Sequence, residues 1–208
     1  MKARLLEGLT AMRLVLPDAA LEKLCAYLAL LEKWNARYNL TAVRDPESAL
    51  AYHVLDSLSI VPTVAASAPA RILDVGSGGG APGIPLAIAR PESGVTLVES
   101  ASKKAAFLRQ AAIELDLANI SVHGGRIEQY HPSFGFPVIV SRAFSSLRDF
   151  VACSRHLLAE GGRWFAMKGL WPKEEIDALP DDIEADAIHR LRVPGVEGER
   201  HLVVLKQW

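Results

Sequence analysis

The first 70 residues follow a helical pattern of hydrophobic and polar positions. After Pro17, with Asp18 as the expected N-cap, apolar side chains recur every three or four residues, as on one face of a helix. These positions are Leu21, Leu24, Leu28, Leu31 and Trp34. Asp45, Pro46 and Glu47 predict the start of another helix, because they combine a capping side chain, a proline in the first turn and an acid near the positive end of the helix dipole. Its apolar face comprises Leu50, Val54, Leu58 and Val61.

From residue 71 onwards, short apolar runs alternate with helical patterns. The runs typical of strands are 71–75, 95–99, 120–123, 137–142 and 162–168. This alternation predicts parallel strands with helices on both faces of a sheet. The tail differs, because segments 190–193 and 201–206 flank a turn-rich connection, which predicts an antiparallel hairpin at the end of the sheet.

We therefore predict an α/β fold with a mostly parallel, Rossmann-like sheet that ends in an antiparallel hairpin. Residues 1–70 are expected to form a helical extension that packs on the core. Residues 71–208 are expected to form the ligand-binding domain.

Composition excludes several classes of protein. Half of the 208 residues are hydrophobic and the net charge is −1, whereas disordered chains combine low hydrophobicity with high net charge. The longest run without a charged residue, 75–89, is broken by glycines and prolines and is shorter than the roughly 20 residues of a membrane-spanning helix. Cys25 and Cys153 form no CxxC motif, and the six histidines lack metal-ligand spacing. We therefore expect a cytoplasmic protein with no membrane segment and no metal.

Charge is distributed unevenly along the chain. Residues 71–170 carry eleven basic and eight acidic side chains, a net charge of +3, whereas residues 171–208 carry five basic and nine acidic side chains, a net charge of −4. A free-standing DNA-binding domain is usually much more basic than this. The distribution still permits contact with nucleic acid through one basic patch in the central segment.

Five glycines lie within residues 76–83, between the first predicted strand and a helix. Glycines at such a point let the backbone turn tightly and approach a ligand closely. Gly78, Gly80 and Gly83 form a GxGxxG pattern, which indicates a dinucleotide site. The same segment, read from Asp74, is Asp-x-Gly-x-Gly-x-Gly and resembles motif I of the class I S-adenosylmethionine (AdoMet) methyltransferases. The acid that closes the strand and the C-terminal hairpin favour the methyltransferase; a purely structural turn is the third interpretation.

Three more charged residues lie at the ends of predicted strands. Glu99 closes the second strand, where a carboxylate can accept hydrogen bonds from ribose hydroxyls in either nicotinamide or AdoMet binders, or can simply cap the next helix. Arg142 and Lys168 close the fourth and fifth strands. Ligands bind outside the carboxyl ends of parallel strands, so an arginine there is either a partner for phosphate or carboxylate or a surface charge.

Several segments together resemble the bacterial small-subunit ribosomal RNA guanine-N(7) methyltransferases, also called the glucose-inhibited division protein B family. They extend over almost the whole chain. These segments are residues 34–41, 53–57, the glycine loop with 82–86, 104–110, 141–144, 167–169 and 198–201. Ala81 departs from the family pattern, because many relatives have leucine there.

The resemblance implies AdoMet as methyl donor and a guanine in the decoding region of 16S ribosomal RNA, within the small ribosomal subunit, as acceptor. The cofactor contacts that the resemblance implies are Gly76, Ala81, Ile127, Glu128 and Arg142. The glycine loop and the strand end add Asp74, Ser77, Gly78, Gly80 and Glu99 as further candidates. Arg142 and Lys168 are expected to position the substrate. The residues expected to shape the acceptor side are Asn39, Thr41, His53 and Asp56.

This reaction agrees with the absence of an evident nucleophile. Guanine N(7) has a free lone pair and carries no proton, so it can attack the AdoMet methyl group directly, without a general base. The enzyme then accelerates the reaction by aligning the reactants. We expect no covalent intermediate, and we expect a monomer. Two alternatives remain open at this point: a small-molecule AdoMet methyltransferase and a nicotinamide-dependent oxidoreductase.

Overall fold

A computed structural model describes residues 1–142 and 144–208; Ala143, part of the predicted 141–144 motif, lies outside the described residues. The α-helices are α1 (Lys2–Ala11), α2 (Asp18–Tyr38), α3 (Pro46–Ala49), α4 (Asp56–Leu58), α5 (Val61–Ala66), α6 (Gly83–Ala89), α7 (Ser102–Glu114), α8 (Leu147–Ser154) and α9 (Lys173–Asp177). The strands are β1 (Arg71–Val75), β2 (Gly94–Glu99), β3 (Ile120–Gly124), β4 (Phe136–Ser141), β5 (Leu158–Lys168), β6 (Ile183–Leu191) and β7 (Arg200–Gln207). A π-helix, Leu50–Leu55, joins α3 to α4, and 3-10 turns occupy Ile127–Gln129 and Arg155–Leu157.

The described strands form one sheet in the order β3-β2-β1-β4-β5-β7-β6. Strands β1 to β5 are parallel to their neighbours in that series, whereas β7 is antiparallel to both β5 and β6. The predicted α/β fold with a C-terminal hairpin is therefore confirmed. The carboxyl ends of β1, β2, β4 and β5 and the amino end of β7 all meet at one edge of the sheet.

Helices cover both faces of the sheet. Because side chains alternate along a strand, Ile72 of β1 faces a hydrophobic cluster that includes Leu24 of α2 and Ile84 of α6, while Leu73 faces a second cluster with Phe150 of α8. Residues from α1 to α7 thus share one continuous core with the sheet. The division of the chain at residue 70 stays a prediction.

Element boundaries differ from the predicted ones in two informative places. Asp18 is the first residue of α2 and not its N-cap; the cap position is Pro17, which makes no side-chain hydrogen bond. The predicted cap at Asp45 is confirmed, since its carboxylate accepts from the Ser48 N–H at 2.8 Å. Strand β6 spans Ile183–Leu191 instead of 190–193, and a bulge between Ala185 and Ala187 interrupts its alternation of apolar residues.

In the part of the chain that the structure describes, one helical stretch, Pro46–Ala66, is long and apolar enough by composition to cross a membrane. An 18-residue window of it has a mean hydropathy of 1.3, and 56% of that window is buried inside the protein. It comprises α3, the π-helix, α4 and α5. Val54 and Leu58 lie fully buried in the core, and His53 and Asp56 are also buried.

Candidate active site

The glycine loop, residues 76–82, connects β1 to α6. Its glycines differ in whether a Cβ atom at that position would meet open space or a neighbouring side chain. Gly76 and Gly78 have φ angles of +71° and +55°, and a Cβ atom on Gly76 would meet nothing within 4 Å. A Cβ atom on Gly78 would meet only the Gly76 carbonyl oxygen, at 3.8 Å. At Gly80, with φ at +93°, a Cβ atom would lie 2.5 Å from Ile84 Cδ1. The first two glycines therefore border open space, and Gly80 allows the loop to pack on α6.

Two buried carboxylates, those of Asp74 and Glu99, accept hydrogen bonds from backbone N–H groups in and beside this loop. The Asp74 carboxylate accepts from the Gly83 N–H at 3.0 Å and is 1% exposed, so burial raises its pKa to about 7. Glu99 uses both oxygens, accepting from the Gly78 N–H at 2.8 Å and from the Ala101 N–H at 2.8 Å. Asp74 thus fixes the start of α6, and Glu99 joins the loop to the end of β2.

Helix α2 also contacts the loop. The buried Tyr27 hydroxyl donates to the Gly79 carbonyl oxygen at 2.6 Å, and burial raises the Tyr27 pKa well above its usual range. A Cβ atom on Gly79 would lie 3.2 Å from Leu31 Cδ1. The N-terminal helices therefore help to set the shape of the loop. Tyr27 was not among the residues predicted from the sequence, although it shares the helical face of Leu24 and Leu31.

The 3-10 turn after β3 lies beside the end of β2. The Gly125 N–H donates to the Glu99 carbonyl oxygen at 3.0 Å. Ile127 is buried in the same cluster as Val75 and Val98, whereas Glu128 is exposed. The turn therefore lies near the glycine loop, with one apolar and one acidic side chain.

An open cleft of about 430 Å³ lies at the carboxyl ends of β4 and β5. We call it the acceptor cleft. Its lining residues are Thr41, Val43, Tyr52, His53, Asp56, Arg142, Met167, Lys168, Gly169 and Arg200. The Ser141 hydroxyl donates to the Val75 carbonyl oxygen at 2.9 Å, which joins the end of β4 to the start of the glycine loop.

The structure thus brings five of the predicted acceptor-side residues together at the acceptor cleft: Thr41, His53, Asp56, Arg142 and Lys168. Asn39 does not line it. This residue ends α2 with φ at +52°, is exposed, and accepts from Arg44 Nη2 at 2.8 Å. The nearby Asn35, which was not singled out, is buried and holds the 39–45 connector through hydrogen bonds to Thr41 N and Val43 O.

Asp56 lies between two arginines. Its Oδ2 is 3.7 Å from Arg142 Nη1 and its Oδ1 is 3.5 Å from Arg200 Nε. The side chain of Asp56 is 4% exposed, and Oδ1 has no hydrogen-bond partner within the described residues. Burial raises the Asp56 pKa, while the two guanidinium groups oppose that shift. Arg200 belongs to the 198–201 segment of the predicted family resemblance, but the sequence assigned it no role.

His53 is a neutral link in the same network. Arg142 Nη2 lies 3.4 Å from His53 Nδ1, and His53 Nε2 lies 3.0 Å from Thr41 Oγ1. An arginine can only donate, so Nδ1 accepts and the ring proton sits on Nε2. Burial and the Arg142 charge lower the His53 pKa to about 4. Arg142 also donates to the carbonyl oxygen of Tyr52, which belongs to the π-helix. Such π-helical turns within α-helices often occur at functional sites.

Lys168 reaches the cleft with its charge already paired. Its Nζ lies 2.7 Å from Glu175 Oε2 and 3.1 Å from the Phe144 carbonyl oxygen. The same Glu175 oxygen accepts from the Leu147 N–H at 2.8 Å. Lys168 therefore fixes the chain after β4 against α9 as well as lining the cleft.

Comparison with known proteins gives the same family as the sequence resemblance. A family model described as rRNA small subunit methyltransferase G matches residues 20–203. Ribosomal RNA small subunit methyltransferase G of Stutzerimonas stutzeri (strain A1501) is 52% identical over 203 residues, which covers 98% of this chain and 94% of the relative. The protein of that name from Neisseria meningitidis serogroup C (strain 053442) is 48% identical over 206 residues, covering 99% of this chain and 98% of the relative.

Solved methyltransferases share the fold. The O-methyltransferase from Bacillus cereus in complex with SAH superposes with a TM-score of 0.61 at 17% identity, covering 88% of this chain and 91% of that one. TrmN from Thermus thermophilus gives 0.55 at 23% identity, covering 78% of this chain and 52% of that one. These neighbours support the class I methyltransferase fold. Because the family model spans most of the chain and the relatives match it nearly end to end, the chain belongs to the rRNA small subunit methyltransferase G family.

Proposed function

We propose that this protein transfers a methyl group from AdoMet to N(7) of a guanine in the decoding region of 16S ribosomal RNA. The observation that carries the proposal is the junction of the glycine loop with the acceptor cleft, through the Ser141 hydroxyl and the Val75 carbonyl, in a chain of this family. A cofactor on the loop and a base in the cleft would then lie side by side. The protein is proposed to act as a monomer in the cytoplasm, with residues 1–70 as an extension of the domain 71–208.

The residues around the glycine loop fit AdoMet. Open space lies over Gly76 and Gly78, where a ligand can approach the backbone closely. Each Glu99 oxygen accepts one hydrogen bond and keeps a second lone pair, so the carboxylate can also accept from ribose hydroxyls. Ile127 and Glu128 are proposed to contact the adenine, with Ser77 and Ala81 in the loop beside the methionine part. Bound AdoMet supplies an electrophilic methyl group on a sulfonium sulfur.

The cleft residues are proposed to orient the guanine and not to transfer protons. Asp56, His53 and the Tyr52 carbonyl hold the Arg142 guanidinium, whose remaining N–H groups can donate to guanine O6 or to a phosphate. His53 is neutral near pH 7 because its pKa is about 4, and its Nδ1 faces Arg142. The chain therefore supplies alignment, which is what a nucleophile without a proton requires.

Mass mapping of 16S ribosomal RNA tests the proposal. Small subunits purified from a strain that lacks the gene are incubated with the protein and AdoMet, and RNA fragments are compared before and after. We expect one guanine to gain a methyl mass and to become sensitive to cleavage at N(7). Methylation of another base, or binding of NADH in place of AdoMet, would contradict the proposal.

Glu99→Ala should weaken AdoMet binding about 10- to 150-fold, because a hydrogen bond to a charged group contributes roughly 1.5–3 kcal/mol. The substitution also removes the acceptor of the Gly78 N–H. Isothermal titration measures the affinity, and circular dichroism checks the fold. Glu99→Gln keeps one oxygen acceptor and should lose less. Equal affinity in Glu99→Ala and wild type would remove the ribose role.

Cys25→Ser combined with Cys153→Ser should retain turnover per folded molecule. Cys25 lines a neighbouring cavity of about 500 Å³ that shares Thr41, Val43 and His53 with the acceptor cleft, but Cys25 itself does not line the cleft. Cys153 Sγ donates to the Phe150 carbonyl oxygen at 3.3 Å. Burial raises the Cys153 pKa to about 11, so its thiol stays protonated near pH 7. Methyl transfer is measured with labelled AdoMet. A covalent RNA adduct, or a folded but inactive double variant, would contradict direct attack by guanine.

A further inference from the structure

Two apolar side chains stand exposed at the rim of the acceptor cleft. Leu170 and Trp171 follow Lys168 and Gly169, which line the cleft, and they are 78% and 53% exposed. Within the described residues, this is the one place where two large apolar side chains adjacent in sequence are both exposed. Exposed apolar surface beside a binding site is typical of a contact with a ligand or partner.

The position of Trp171 is fixed by buried neighbours. Its ring packs edge-on against His201, with centroids 5.5 Å apart and planes at 85°. His201 is 3% exposed, and its Nδ1 lies 2.9 Å from the Gly169 carbonyl oxygen. Gly169 in turn lines the cleft. The indole is therefore held at the rim with half of its surface free.

The charge of the cleft favours a polyanion. Among the described residues, Arg142, Arg200 and Lys168 pair with two carboxylates, those of Asp56 and Glu175, so these five side chains carry a net charge of +1. A phosphodiester chain that brings a base into the cleft would pass this rim. Helical RNA hides guanine N(7) in a deep, narrow groove, so the target base must leave its stack and its neighbours lose a stacking partner.

We propose that Trp171 stacks on the base of a nucleotide next to the target guanine. This inference rests on the proposed function and adds a residue that binds the RNA substrate to the same site. Aromatic side chains stack on every kind of base, so the contact would hold the unstacked strand without selecting its sequence.

The chain offers a matched control. Trp208 is 79% exposed and follows β7, at the end of that strand opposite Arg200 and the cleft. The Lys206 ammonium nitrogen lies 5.8 Å from the centroid of the Trp208 ring. Trp208→Ala thus removes a second exposed indole, one that is more exposed than Trp171 and lies away from the proposed RNA path.

Methylation of small subunits that lack the modification is measured for Trp171→Ala, Trp171→Phe and Trp208→Ala. We expect Trp171→Ala to raise KM for the subunit roughly 5- to 150-fold, the range found when a base-stacking aromatic is removed. AdoMet affinity should be unchanged. Trp171→Phe should recover most of the loss, and Trp208→Ala should match wild type. A Trp171→Ala variant that matches Trp208→Ala would overturn the inference, as would a loss in Trp171→Ala that Trp171→Phe does not relieve.

Fluorescence separates this inference from the proposed function. A single-stranded RNA oligonucleotide of mixed sequence is titrated into wild type and Trp171→Phe, and the difference in quenching isolates Trp171. Quenching of Trp171 in a protein that methylates no ribosomal RNA would support the stacking contact and contradict the proposed function. Equal quenching in the two proteins would overturn the stacking contact, whatever the methylation assay gives.

Discussion

Gly78→Val should abolish AdoMet binding and leave the protein folded. A valine at φ +55° strains the backbone by about 1–3 kcal/mol, and its branched side chain would occupy the open space over the loop. The strain lowers the stability of the fold, whereas the side chain in the open space blocks the cofactor. We expect titration to detect no binding at AdoMet concentrations roughly 100-fold above the wild-type Kd, which corresponds to about 2.7 kcal/mol.

Gly161→Val is the matched control for strain. Gly161 has φ at +69°, a Cβ atom there would meet nothing within 4 Å, and the residue lies in β5 far from Lys168. Both variants should lose similar stability in chemical denaturation, but Gly161→Val should bind AdoMet like wild type. AdoMet binding by Gly78→Val with wild-type affinity would show that the loop does not border the cofactor.

Asp56→Ala should lower the free energy of unfolding by about 3–5 kcal/mol, the loss expected when one partner of a buried ion pair is removed. Without the carboxylate, Arg142 and Arg200 would lie together with no negative charge between them. Urea denaturation measures this loss. Methyl transfer should fall as well, because Arg142 loses one of the groups that hold it.

An exposed aspartate with two cationic partners provides the comparison. Asp186 lies 3.1 Å from Arg163 Nε and 2.9 Å from Lys206 Nζ, and its side chain is 34% exposed. Asp186→Ala should cost at most about 1 kcal/mol, as exposed ion pairs do. Asp56→Asn, which keeps the shape and loses the charge, should fall between the two alanine variants. If Asp56→Ala and Asp186→Ala lower the free energy of unfolding equally, burial does not determine how much Asp56 contributes to stability.

The sequence predicted those parts of the fold in which one signal repeats along a short segment. Helix α2 was visible because Leu21 to Trp34 keep helical spacing, and β1, β2 and β4 because apolar runs end in glycine or a charge. Strand β6 was largely missed. It is an edge strand with a bulge at Asp186 and several exposed polar residues, so its alternation is weak over most of its length.

The sequence predicts which site residues lie at the ends of strands, but it does not predict the contacts between them. Glu99, Arg142 and Lys168 could be placed because strand ends converge at one edge of a parallel sheet. The Tyr27 bond to Gly79, the pairing of Lys168 with Glu175 and the approach of Arg200 to Asp56 join distant segments. No local pattern reports such pairs, because each depends on how whole elements pack.

The position of β7 has a consequence for shortened forms of the protein. Translation reaches β7 after the other six strands, yet β7 lies between β5 and β6. A stop codon in the 192–199 connection would therefore remove an interior strand, leave β6 without its neighbour, and expose the backbone edge of β5. Unpaired sheet edges recruit other chains. Such products would be prone to aggregation and to removal by cellular proteases, so nonsense alleles in this connection should behave as complete losses.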